Sequence, residues 1–475
     1  MIESWRDASV DGSYLIAALL FVVGLKMLAN PTTARRGNQL AAGGMALAIV
    51  ATLFSRQLEI DGAIDPVNMA LIIGGIVIGA IISAWPSRRV PMTSMPQMVA
   101  IFNGMGGATV ALVSVAEYTG HSGYSRQIVV AIVLGVIIGS LSFTGSVVAF
   151  LKLQELISGR PIVWAGQKLV NGLIFLGMTA LGVAVVVAID GDTARAMLLG
   201  VFALSMLLGA LVVLPIGGAD MPVVIAILNS FTGTAAAIAG LQLDNQALLV
   251  GGILVGASGS LLTLLMARAM NRSITNIIFG AFGSIASSAA GDDAGAEALP
   301  VREVTAEDAS IQLAYAERVV IVPGYGLAVA QAQQQVRELA DLLKERGVDV
   351  RYAIHPVAGR MPGHMNVLLA EANVAYDDLY EMDDINDDFP RTDVALVIGA
   401  NDVVNPAARN DTSSPIYGMP ILNVDQAQNV IVLKRGMSAG FAGIENELFH
   451  YPKTSMLFGD ARASLNRLIV AVKEA

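Results

Sequence analysis

The sequence contains no cysteine among its 475 residues, and it contains only four histidines. Without cysteine the chain cannot form a disulfide, a thiolate nucleophile or a cysteine-ligated metal site. Charged residues are also scarce, at 14% of the chain. Any redox chemistry must therefore belong to a bound cofactor rather than to the side chains of the protein.

The charges that are present are distributed unevenly. Residues 1–267 carry 12 Lys and Arg against 12 Asp and Glu, whereas residues 268–475 carry 17 against 27. The net charge of −10 therefore comes entirely from the second part. An acidic soluble part argues against nucleic acid as a partner, because nucleic-acid binding needs a basic surface that displaces counterions from phosphates.

Long apolar runs fill the first part, and the mean hydropathy of the chain is +0.63. A helix needs roughly 20 residues to cross a hydrocarbon core of about 30 Å. Nine runs approach this length, of which the second is short: 13–29, 39–54, 67–85, 95–118, 127–151, 169–189, 196–214, 221–241 and 246–267. The sequence therefore predicts a multi-helix transmembrane domain of about nine helices over residues 1–267.

Basic residues are concentrated in alternate connections between these runs. One set of connections holds or borders Arg35, Arg36, Arg88, Arg89, Lys152, Arg160, Lys168, Arg268 and Arg272. The opposite set holds only Arg6, Arg56, Arg126 and Arg195. By the positive-inside rule the N-terminus lies outside and the C-terminal part lies in the cytoplasm. The acidic start of the chain, with no basic segment before the first apolar run, is not typical of a cleaved signal peptide.

Several polar residues fall inside the apolar runs, where they are costly unless they face a bundle interior or a wet path. They are Asn103, Ser142, Thr144, Ser146 and Asn229. Two interpretations remain open, namely hydrogen bonds between helices and a route for protons or ions. Asp220, at the start of the eighth run, either caps that helix or acts as a functional gate. We expect no carboxylate or histidine of this chain at membrane depth.

Beyond residue 267 the apolar density falls, and a run of Gly, Ala and Ser at 280–295 predicts a hinge over residues 268–310. Short apolar runs then predict buried strands at 319–322, 348–354, 394–398, 421–424 and 430–433. Helical spacing covers 328–346 and ends at Gly347. Alternating strands and helices predict a doubly wound parallel sheet, so residues 311–475 form an α/β Rossmann-like domain.

The first of these strands leads directly into a dinucleotide-binding turn, Pro323-Gly-Tyr-Gly-Leu-Ala-Val329. Gly324 permits the tight turn, Gly326 lets backbone N–H groups approach a phosphate, and the following helix adds a favourable partial charge. The second strand lacks the terminal acid that would bind a ribose hydroxyl. Lys434 and Arg435 close another strand, and their charge favours NADP over NAD. The alternative is that both are ordinary surface charges.

Other polar features allow more than one interpretation. The acidic tract 381–388 is either a cation site or, as is more usual for such charge density, a solvated loop. His355 and His364 lie close in sequence but lack a third ligand, so no metal site is predicted. Asp402 follows an apolar strand directly, and it either has a pKa raised by desolvation or caps a helix.

With these residues assembled, the sequence resembles the β subunit of the proton-translocating NAD(P) transhydrogenases over nearly its full length. The segments that carry the resemblance are Met92-Thr-Ser-Met-Pro96, Ser142-Phe-Thr-Gly-Ser-Val-Val-Ala-Phe150, Gly217-Gly-Ala-Asp-Met-Pro-Val-Val224, Ala269-Met-Asn-Arg-Ser273, Pro323-Gly-Tyr-Gly-Leu-Ala-Val-Ala-Gln331, His355-Pro-Val-Ala-Gly-Arg-Met-Pro-Gly-His-Met-Asn-Val-Leu-Leu-Ala-Glu371, Gly399-Ala-Asn-Asp-Val-Val-Asn-Pro-Ala-Ala408 and Lys434-Arg-Gly-Met-Ser-Ala-Gly-Phe-Ala-Gly443.

The resemblance implies an integral protein of a bacterial inner membrane, with its N-terminus in the periplasm and a cytoplasmic domain that binds NADP(H). It also implies α subunits, which carry the NAD(H)-binding domain and further transmembrane helices, and a dimer of the whole assembly in the lipid bilayer. Inward proton flow then drives hydride transfer from NADH to NADP⁺. Direct transfer between two cofactors requires orientation rather than a catalytic side chain. In this family the nucleotide lies reversed on the sheet.

The resemblance further implies which residues form the site. The cofactor-binding residues are Gly324, Tyr325, Gly326, Leu327, Ala328, Val329, Val357, Ala358, Gly359, Arg360, Gly399, Ala400, Asn401, Asp402, Lys434, Arg435, Gly436, Met437, Gly440, Phe441 and Ala442. Lys434 and Arg435 hold the 2′-phosphate, Arg360 contacts the nucleotide, and the segment 434–443 forms a lid. The proton pathway and its coupling use Asn103, Ser142, Asp220, Asn229, Arg272 and Asp402.

Two positions differ from some relatives. Asn103 stands where they have a membrane histidine, and Phe441 stands where they have tyrosine. Because Asn103 cannot titrate, we expect a partner helix to supply the ionisable group, a histidine that faces Asn103 and Asn229, with a water chain towards Asp220. The alternative function is an ion channel or transporter gated by a cytoplasmic nucleotide-sensing domain, and a third is a structural membrane anchor. No potassium-filter sequence of the Thr-Val-Gly-Tyr-Gly type occurs in residues 1–267.

Overall fold

The computed structural model describes residues 2–28, 31–55, 59–60, 63–64, 66–121, 123–159, 161–188, 191–270, 273–274, 300–359, 363–414, 416–440 and 442–475. The chain forms two compact units. One comprises Met1–Gly217 with Val224–Thr263, and the other comprises Gly218–Val223 with Leu264–Ala475. Much of the predicted hinge at 268–310 lies outside the described residues, so the predicted domain boundaries stay predictions.

Nine long helices make up most of the described chain before residue 270. They are α1 (Ile2–Leu28), α2 (Pro31–Leu53), α3 (Pro66–Arg89), α4 (Met95–Gly120), α5 (Arg126–Leu153), α6 (Gln167–Ala188), α7 (Asp192–Val213), α8 (Met221–Gln242) and α9 (Gln246–Ala269). Between α2 and α3, β1 (Glu59–Ile60) pairs antiparallel with β2 (Ala63–Ile64). The predicted multi-helix membrane domain is confirmed.

Eight of the nine helices are long and apolar enough to cross a membrane, and α2 is the exception. Its first turns carry Arg35, Arg36, Asn38 and Gln39, which shortens its apolar part. The helices extend beyond the predicted runs because their polar flanking residues remain helical. The second run is the shortest of the nine, and by length and composition its helix does not qualify as a membrane span.

Small residues set how closely these helices pack. A Cβ atom on Gly107 of α4 would lie 2.7 Å from the backbone oxygen of Gly139 on α5, and the converse distance is also 2.7 Å. Elsewhere on α5, Val129, Ile132 and Val136 are fully buried in a cluster with residues of α4, α6 and α7. In lipid, helices gain association energy from such backbone approach rather than from apolar burial. Larger residues at 107 or 139 would separate α4 from α5.

The second unit contains a six-stranded sheet whose strands all run parallel. The strands are β3 (Arg318–Pro323), β4 (Asp349–Ile354), β5 (Leu379–Glu381), β6 (Val394–Ile398), β7 (Asn429–Lys434) and β8 (Thr454–Phe458), and the helices are α10 (Ala306–Ala314), α11 (Tyr325–Val329), α12 (Gln333–Glu345), α13 (His364–Glu371), α14 (Met382–Ile385), α15 (Ala407–Asn410) and α16 (Ala461–Glu474). The strand order is β5-β4-β3-β6-β7-β8. This is the doubly wound Rossmann order, so the predicted fold class is confirmed.

Both faces of the sheet are covered. Helices α12 and α16 pack on one face, and α10 packs against α16. On the other face, buried strand residues such as Val320 and Val432 form one core with Phe389, Leu448 and Phe449. A sheet buried on both faces needs apolar residues at every strand position, which explains why the strands appear in the sequence as continuous apolar runs.

Four of the five predicted strands are present, with small differences at their ends. The prediction of a strand at 421–424 is wrong, because a short 3₁₀ helix begins at Val424 there. The strands β5 and β8 were not predicted; β5 has only three residues, and the run at β8 contains Thr454 and Ser455. The helix predicted at 328–346 is interrupted, because Gln331 adopts a positive φ of 48° between α11 and α12.

Candidate functional site

The strand order reverses between β3 and β6, and the two turns that follow these strands lie against each other. A Cβ atom on Gly324 would lie 2.4 Å from Ala400 Cα, and one on Gly326 would lie 2.7 Å from Gly399 Cα. Gly399 also has a φ of +63°, which favours glycine. In a doubly wound sheet, ligands bind in the crevice outside the strand ends at this reversal point. The structure therefore brings together the turns predicted to bind the cofactor.

The glycine contact corrects the sequence-based explanation of the first turn. Gly324 N–H donates to Ile398 O and Gly326 N–H donates to Gly399 O, both at 2.9 Å. These two donors are therefore used within the protein rather than being directed at a phosphate. Glycine is needed at 324 and 326 because the β6 turn approaches their backbone. The four other predicted residues of this turn lie in α11, where Leu327 and Ala328 are buried and Val329 is 45% exposed.

Asn401 presents an unsatisfied amide at the same edge of the sheet. Its side-chain Nδ2 and Oδ1 are buried and have no hydrogen-bond partner among the described residues. Its backbone oxygen accepts a hydrogen bond from Asn446 Nδ2 at 3.0 Å, which anchors the turn. Buried polar atoms normally have a partner, so the amide of Asn401 is suited to a polar ligand group in the crevice.

Asp402 holds the segment that follows β7. Its Oδ2 accepts the backbone N–H of Ala442 at 2.9 Å. A Cβ atom on Gly440 would lie only 2.3 Å from Asp402 Oδ1, so the segment passes directly over the carboxylate. The side chain therefore joins the β6 turn to the segment predicted as a lid. The sequence left two interpretations of Asp402 open, a pKa raised by desolvation and a helix cap. The contact with Ala442 is a third role. The two sequence-based interpretations stay predictions.

Lys434 lies at the end of β7, beside this contact. Its ammonium group donates to Ser438 O within the segment and lies 4.9 Å from the centre of the Phe449 ring. Burial lowers the pKa of Lys434, and the nearby charge of Asp402 opposes that effect. The next residues face solvent: Arg435 is exposed, a Cβ on Gly436 would meet no atom within 4 Å, and Met437 is 42% exposed. A cationic, open surface remains beside the crevice.

The loop after β4 contributes a third part of the edge. His355 Nδ1 accepts Val357 N–H at 3.2 Å, so its Nε2 donates to Pro420 O at 2.8 Å. Burial lowers the pKa of His355, which keeps the ring neutral. Ala358 is buried, and Gly359, with a φ of +102°, packs against His364. Among the described residues no group of three possible metal ligands occurs.

Three predicted site residues, Arg360, Arg272 and Phe441, lie outside the described residues. The acidic tract is neither a cation site nor a simple loop where the structure describes it. It forms α14 and a 3₁₀ helix, and Met382, Ile385 and Phe389 are buried in the sheet core. Asp388 pairs with Arg351 at 2.6 Å. The buried apolar residues between the acids are the sequence signal for this structure.

In the helical unit, Asn103 belongs to a polar layer formed by three helices. Asn103 Nδ2 on α4 donates to Ser146 Oγ on α5 at 3.0 Å and approaches Ser142 Oγ at 3.5 Å. Ser142 Oγ lies 2.5 Å from Thr232 Oγ1 of α8 and donates to Leu228 O at 2.9 Å. We call these four side chains, Asn103, Ser142, Ser146 and Thr232, the inner layer. Thr232 was missed by sequence analysis, although it lies three residues after Asn229.

The other predicted membrane residues are placed differently. Asn229 lies by α9, since its Nδ2 would be 3.1 Å from a Cβ atom on Gly259. Thr144 Oγ1 donates to Ser140 O of its own helix. Asp220 ends the 3₁₀ helix Gly218–Asp220, directly before α8 begins, so both interpretations of Asp220 stay open.

Lys152 is the largest difference from the sequence analysis in this unit. The sequence places Lys152 beside a cytoplasmic connection, where a solvated cation is expected, but the residue is only 2% exposed. Its ammonium group donates to Ile216 O at 2.7 Å and also to Leu214 O. The cation therefore binds carbonyl groups where α7 ends. Cations are stabilised at the negative end of a helix dipole, which explains the location.

The sequence was compared with known proteins. The model of the family described as "NAD(P) transhydrogenase beta subunit" matches residues 10–471. Two relatives, "NAD(P) transhydrogenase subunit beta" of Rhodospirillum rubrum and the same-named protein of its strain ATCC 11170, are each 47% identical over 468 residues. Each match covers 97% of this chain and 98% of the relative.

Proposed function

The chain belongs to the family of NAD(P) transhydrogenase beta subunits, and from this premise we propose how its two units divide the work. The chain is a membrane protein that acts as the beta subunit of a transhydrogenase, and its sheet unit binds NADP(H). As a beta subunit it works with an alpha subunit. Hydride passes from NADH on the alpha side to NADP⁺ on this chain.

The observation that carries the proposal is the meeting of the β3 and β6 turns at the reversal point of the sheet. The crevice there has a glycine-lined wall, the cation Lys434 and the amide of Asn401, which has no partner among the residues that the structure describes. This combination fits a dinucleotide phosphate. When bound, NADP(H) supplies the carbon that accepts or gives the hydride. Lys434 and Arg435 hold its 2′-phosphate, and Asn401 donates or accepts hydrogen bonds at a polar group of the nucleotide.

Asp402 and the segment 434–443 form the retaining part of the site. The carboxylate fixes the segment at Gly440 and Ala442, so the bound nucleotide is covered as long as this contact persists. Breaking the contact releases the segment and opens the site. A coupled enzyme needs two such states with different affinities, because a proton can shift an equilibrium only if it binds the two states differently.

The inner layer of the helical unit lies on the proton route. Amides and hydroxyls can orient water and pass protons along it, but they do not titrate at neutral pH. The ionisable group therefore comes from a helix of the alpha side, as a histidine that faces Asn103 and Asn229. A chain of water molecules then leads inward towards Asp220. Arg272 belongs to the connection that follows α9 in the sequence. By the positive-inside rule, the N-terminus is periplasmic and the sheet unit is cytoplasmic. Protons enter from the periplasm. The assembly is a dimer in a bacterial inner membrane.

A binding experiment tests the nucleotide assignment. Losing a charge-assisted contact costs roughly 1.5–3 kcal/mol, so Lys434→Ala and Arg435→Ala should each weaken NADP⁺ binding by that amount in calorimetry. Binding of NAD⁺ should change little. Lys473→Ala is the matched control, because Lys473 is a surface cation paired with Glu338. Equal losses for NADP⁺ and NAD⁺ would refute the 2′-phosphate role.

The division of labour has its own test. This chain offers one dinucleotide site, so purified alone it should transfer no hydride from NADH to NADP⁺, and adding the alpha side should restore turnover. Asn229→Leu should abolish proton-coupled turnover in sealed vesicles without changing NADP⁺ affinity. Robust transfer by the isolated chain, or unchanged proton movement in Asn229→Leu, would contradict the proposal. No observation favours the ion-channel alternative.

A further inference from the structure

A second polar layer lies in the helical unit. It is nearer than the inner layer to the end at which α4 and α8 finish and α5 begins. We call this end the outer end. Ser114 of α4 is fully buried and donates through Oγ to Oε1 of Gln242, which is 8% exposed. Neither residue belongs to the inner layer, and neither is needed to explain the nucleotide site.

The amide of Gln242 is only partly satisfied. Its Nε2 is buried and has no partner within the part of the chain that the structure describes. An amide nitrogen carries two N–H donors, and a buried donor without a partner is costly. Gly135 of α5 permits the arrangement, because a Cβ atom there would lie 2.5 Å from Ser114 Oγ and 2.8 Å from Gln242 Nε2. The chain thus directs an unused donor into a buried polar site.

The two layers are stacked along the same three helices. Ser114 follows Asn103 by 11 residues on α4, which is about 16 Å along the axis at the usual helical rise. On α8, Gln242 follows Thr232 by ten residues, or about 15 Å. Between the layers, Val110, Ala235 and Ala239 form a buried apolar cluster with Ile138 packed against it. A dry section therefore separates the two layers.

Charged groups lie just beyond the second layer. Glu117 is one helical turn from Ser114 on the same face of α4. Its Oε1 accepts a hydrogen bond from Tyr124 at 2.5 Å and lies 3.6 Å from Nδ1 of His121. The side chain of His121 is 68% exposed and that of Glu117 is 23% exposed. This partly exposed pair forms the mouth, where the route meets bulk water.

We propose that Ser114 and Gln242 form a water-binding station in the outer half of the proton route, between the Glu117–His121 mouth and the dry section. Ser114 fixes the amide, and Gln242 Nε2 donates to the water oxygen. A proton then passes along the water from the mouth, with no bond to protein atoms formed or broken. Water must enter the dry section, the cluster formed by Val110, Ala235, Ala239 and Ile138, before the proton can reach the inner layer. This inference rests on the proposed proton-coupled function.

The absence of cysteine gives a direct test of hydration. Methanethiosulfonate reagents modify thiolates, which form only in contact with water. In the complete complex in sealed vesicles, Gln242→Cys or Ser114→Cys would add the only thiol on this chain, and labelling would be read on this chain by mass spectrometry. Ala235→Cys is the matched control, two turns deeper on α8 in the dry section. Both station variants should be labelled at least tenfold faster than the control.

A functional measurement keeps the proposal testable if a thiol disturbs packing. Gln242→Met keeps the size but removes the amide donor, whereas Gln242→Asn keeps an amide donor on a shorter side chain. Proton-coupled turnover should fall several-fold in Gln242→Met and should fall less in Gln242→Asn, with NADP⁺ affinity unchanged in both. Leu241→Met, at an exposed neighbouring position, should have wild-type turnover.

The outcomes separate the two claims. If the wild-type complex moves protons but the station variants are labelled no faster than Ala235→Cys, the station is excluded and the proposed function stands. Equal turnover of Gln242→Met and the wild type would likewise exclude the station. If the wild-type complex moves no protons during hydride transfer, the proposed function itself fails.

Discussion

In the sheet unit, candidate residues from the loops after β3, β4, β6 and β7 meet at one edge, whereas in the helical unit the polar residues divide into layers about 15 Å apart along the helix axes. The difference follows from architecture. All strands of a parallel sheet end at the same edge, so one crevice collects every loop. Helices in a bundle can meet at any depth. The sheet unit is therefore built to hold one ligand, and the helical unit is built to form a path.

The comparison predicts that breaking the contact between the β3 and β6 turns reduces both the stability of the sheet unit and its NADP⁺ binding. Gly399→Ala adds strain at a positive φ and places a Cβ 2.4 Å from Gly326 Cα. We expect unfolding free energy to fall by about 3 kcal/mol or more, with loss of NADP⁺ binding. Thermal unfolding and calorimetry of the purified chain measure both.

Gly347→Ala separates strain from collision in that experiment. Gly347 has a φ of +88°, but a Cβ there would meet no atom within 4 Å. It should cost only about 1–2 kcal/mol and leave NADP⁺ binding intact. If the two alanine variants lose equal stability and both bind NADP⁺, the contact between the β3 and β6 turns is not what shapes the site.

The second prediction concerns retention of the nucleotide. Asp402→Ala leaves the N–H of Ala442 without its acceptor, at a cost of about 1–3 kcal/mol. NADP⁺ release should therefore accelerate by about tenfold, as measured by stopped-flow displacement. Asp402→Asn keeps an acceptor oxygen and should change release less. Asp411→Ala alters a loop carboxylate that accepts hydrogen bonds from Ser413, two residues away, and should match the wild type. Unchanged release in Asp402→Ala would argue against the lid.

The third prediction concerns pH and the stability of the sheet unit. Burial lowers the pKa of His355 from its usual 6.5, so the unfolded chain takes up its proton at a higher pH than the folded chain does. Stability should therefore be full above pH 6.5 and should fall as the pH drops below it, by up to about 1.4 kcal/mol per pH unit. Thermal unfolding from pH 8 to pH 5 measures the slope.

A variant assigns that slope to one side chain. His355→Gln retains an acceptor for Val357 N–H and a donor for Pro420 O, but it does not titrate. The loss of stability between pH 6.5 and pH 5 should be smaller in His355→Gln than in the wild type. Identical slopes would show that other groups cause the loss.

The fourth prediction has the smallest effect and lies in the helical unit. Thr232→Val keeps the side-chain shape but removes the contact with Ser142. A single hydrogen bond between membrane helices contributes about 0.6 kcal/mol on average, so coupled turnover should fall about threefold while NADP⁺ affinity is unchanged. Thr109→Val is the control, because Thr109 is exposed and donates to Met105 O of its own helix. A loss of NADP⁺ affinity in Thr232→Val would contradict the separation of roles.

The sequence was a better guide to the sheet unit than to the helical unit, for physical reasons. Buried parallel strands are continuous apolar runs, and their ends locate the site, so Gly324, Gly399 and Lys434 could be placed together. Strand β5 escaped prediction because three residues are too few for a pattern. The mutual packing of Gly326 and Gly399 could not be foreseen, because it joins residues far apart in sequence.

Hydropathy located the membrane helices but not their rotation or depth of contact. Nothing in the local sequence shows that Asn103 meets Ser146, that Lys152 is buried at the end of α7, or that Gln242 reaches Ser114. A helix that is apolar all round gives no signal for the face that packs against a neighbour. Such contacts depend on partners from other helices and required the three-dimensional structure.

The most direct test of the central claim records two quantities at once in sealed vesicles that contain this chain and its alpha side. Hydride transfer from NADH to thio-NADP⁺ would be followed by absorbance, because the reduced analogue absorbs at a longer wavelength than NADH, and the internal pH would be followed by a trapped dye. We predict that this hydride transfer is accompanied by proton movement towards the side of the membrane that carries the sheet unit, and that Asn229→Leu stops both while NADP⁺ remains bound. Hydride transfer by the wild-type complex without any change in internal pH would contradict the account.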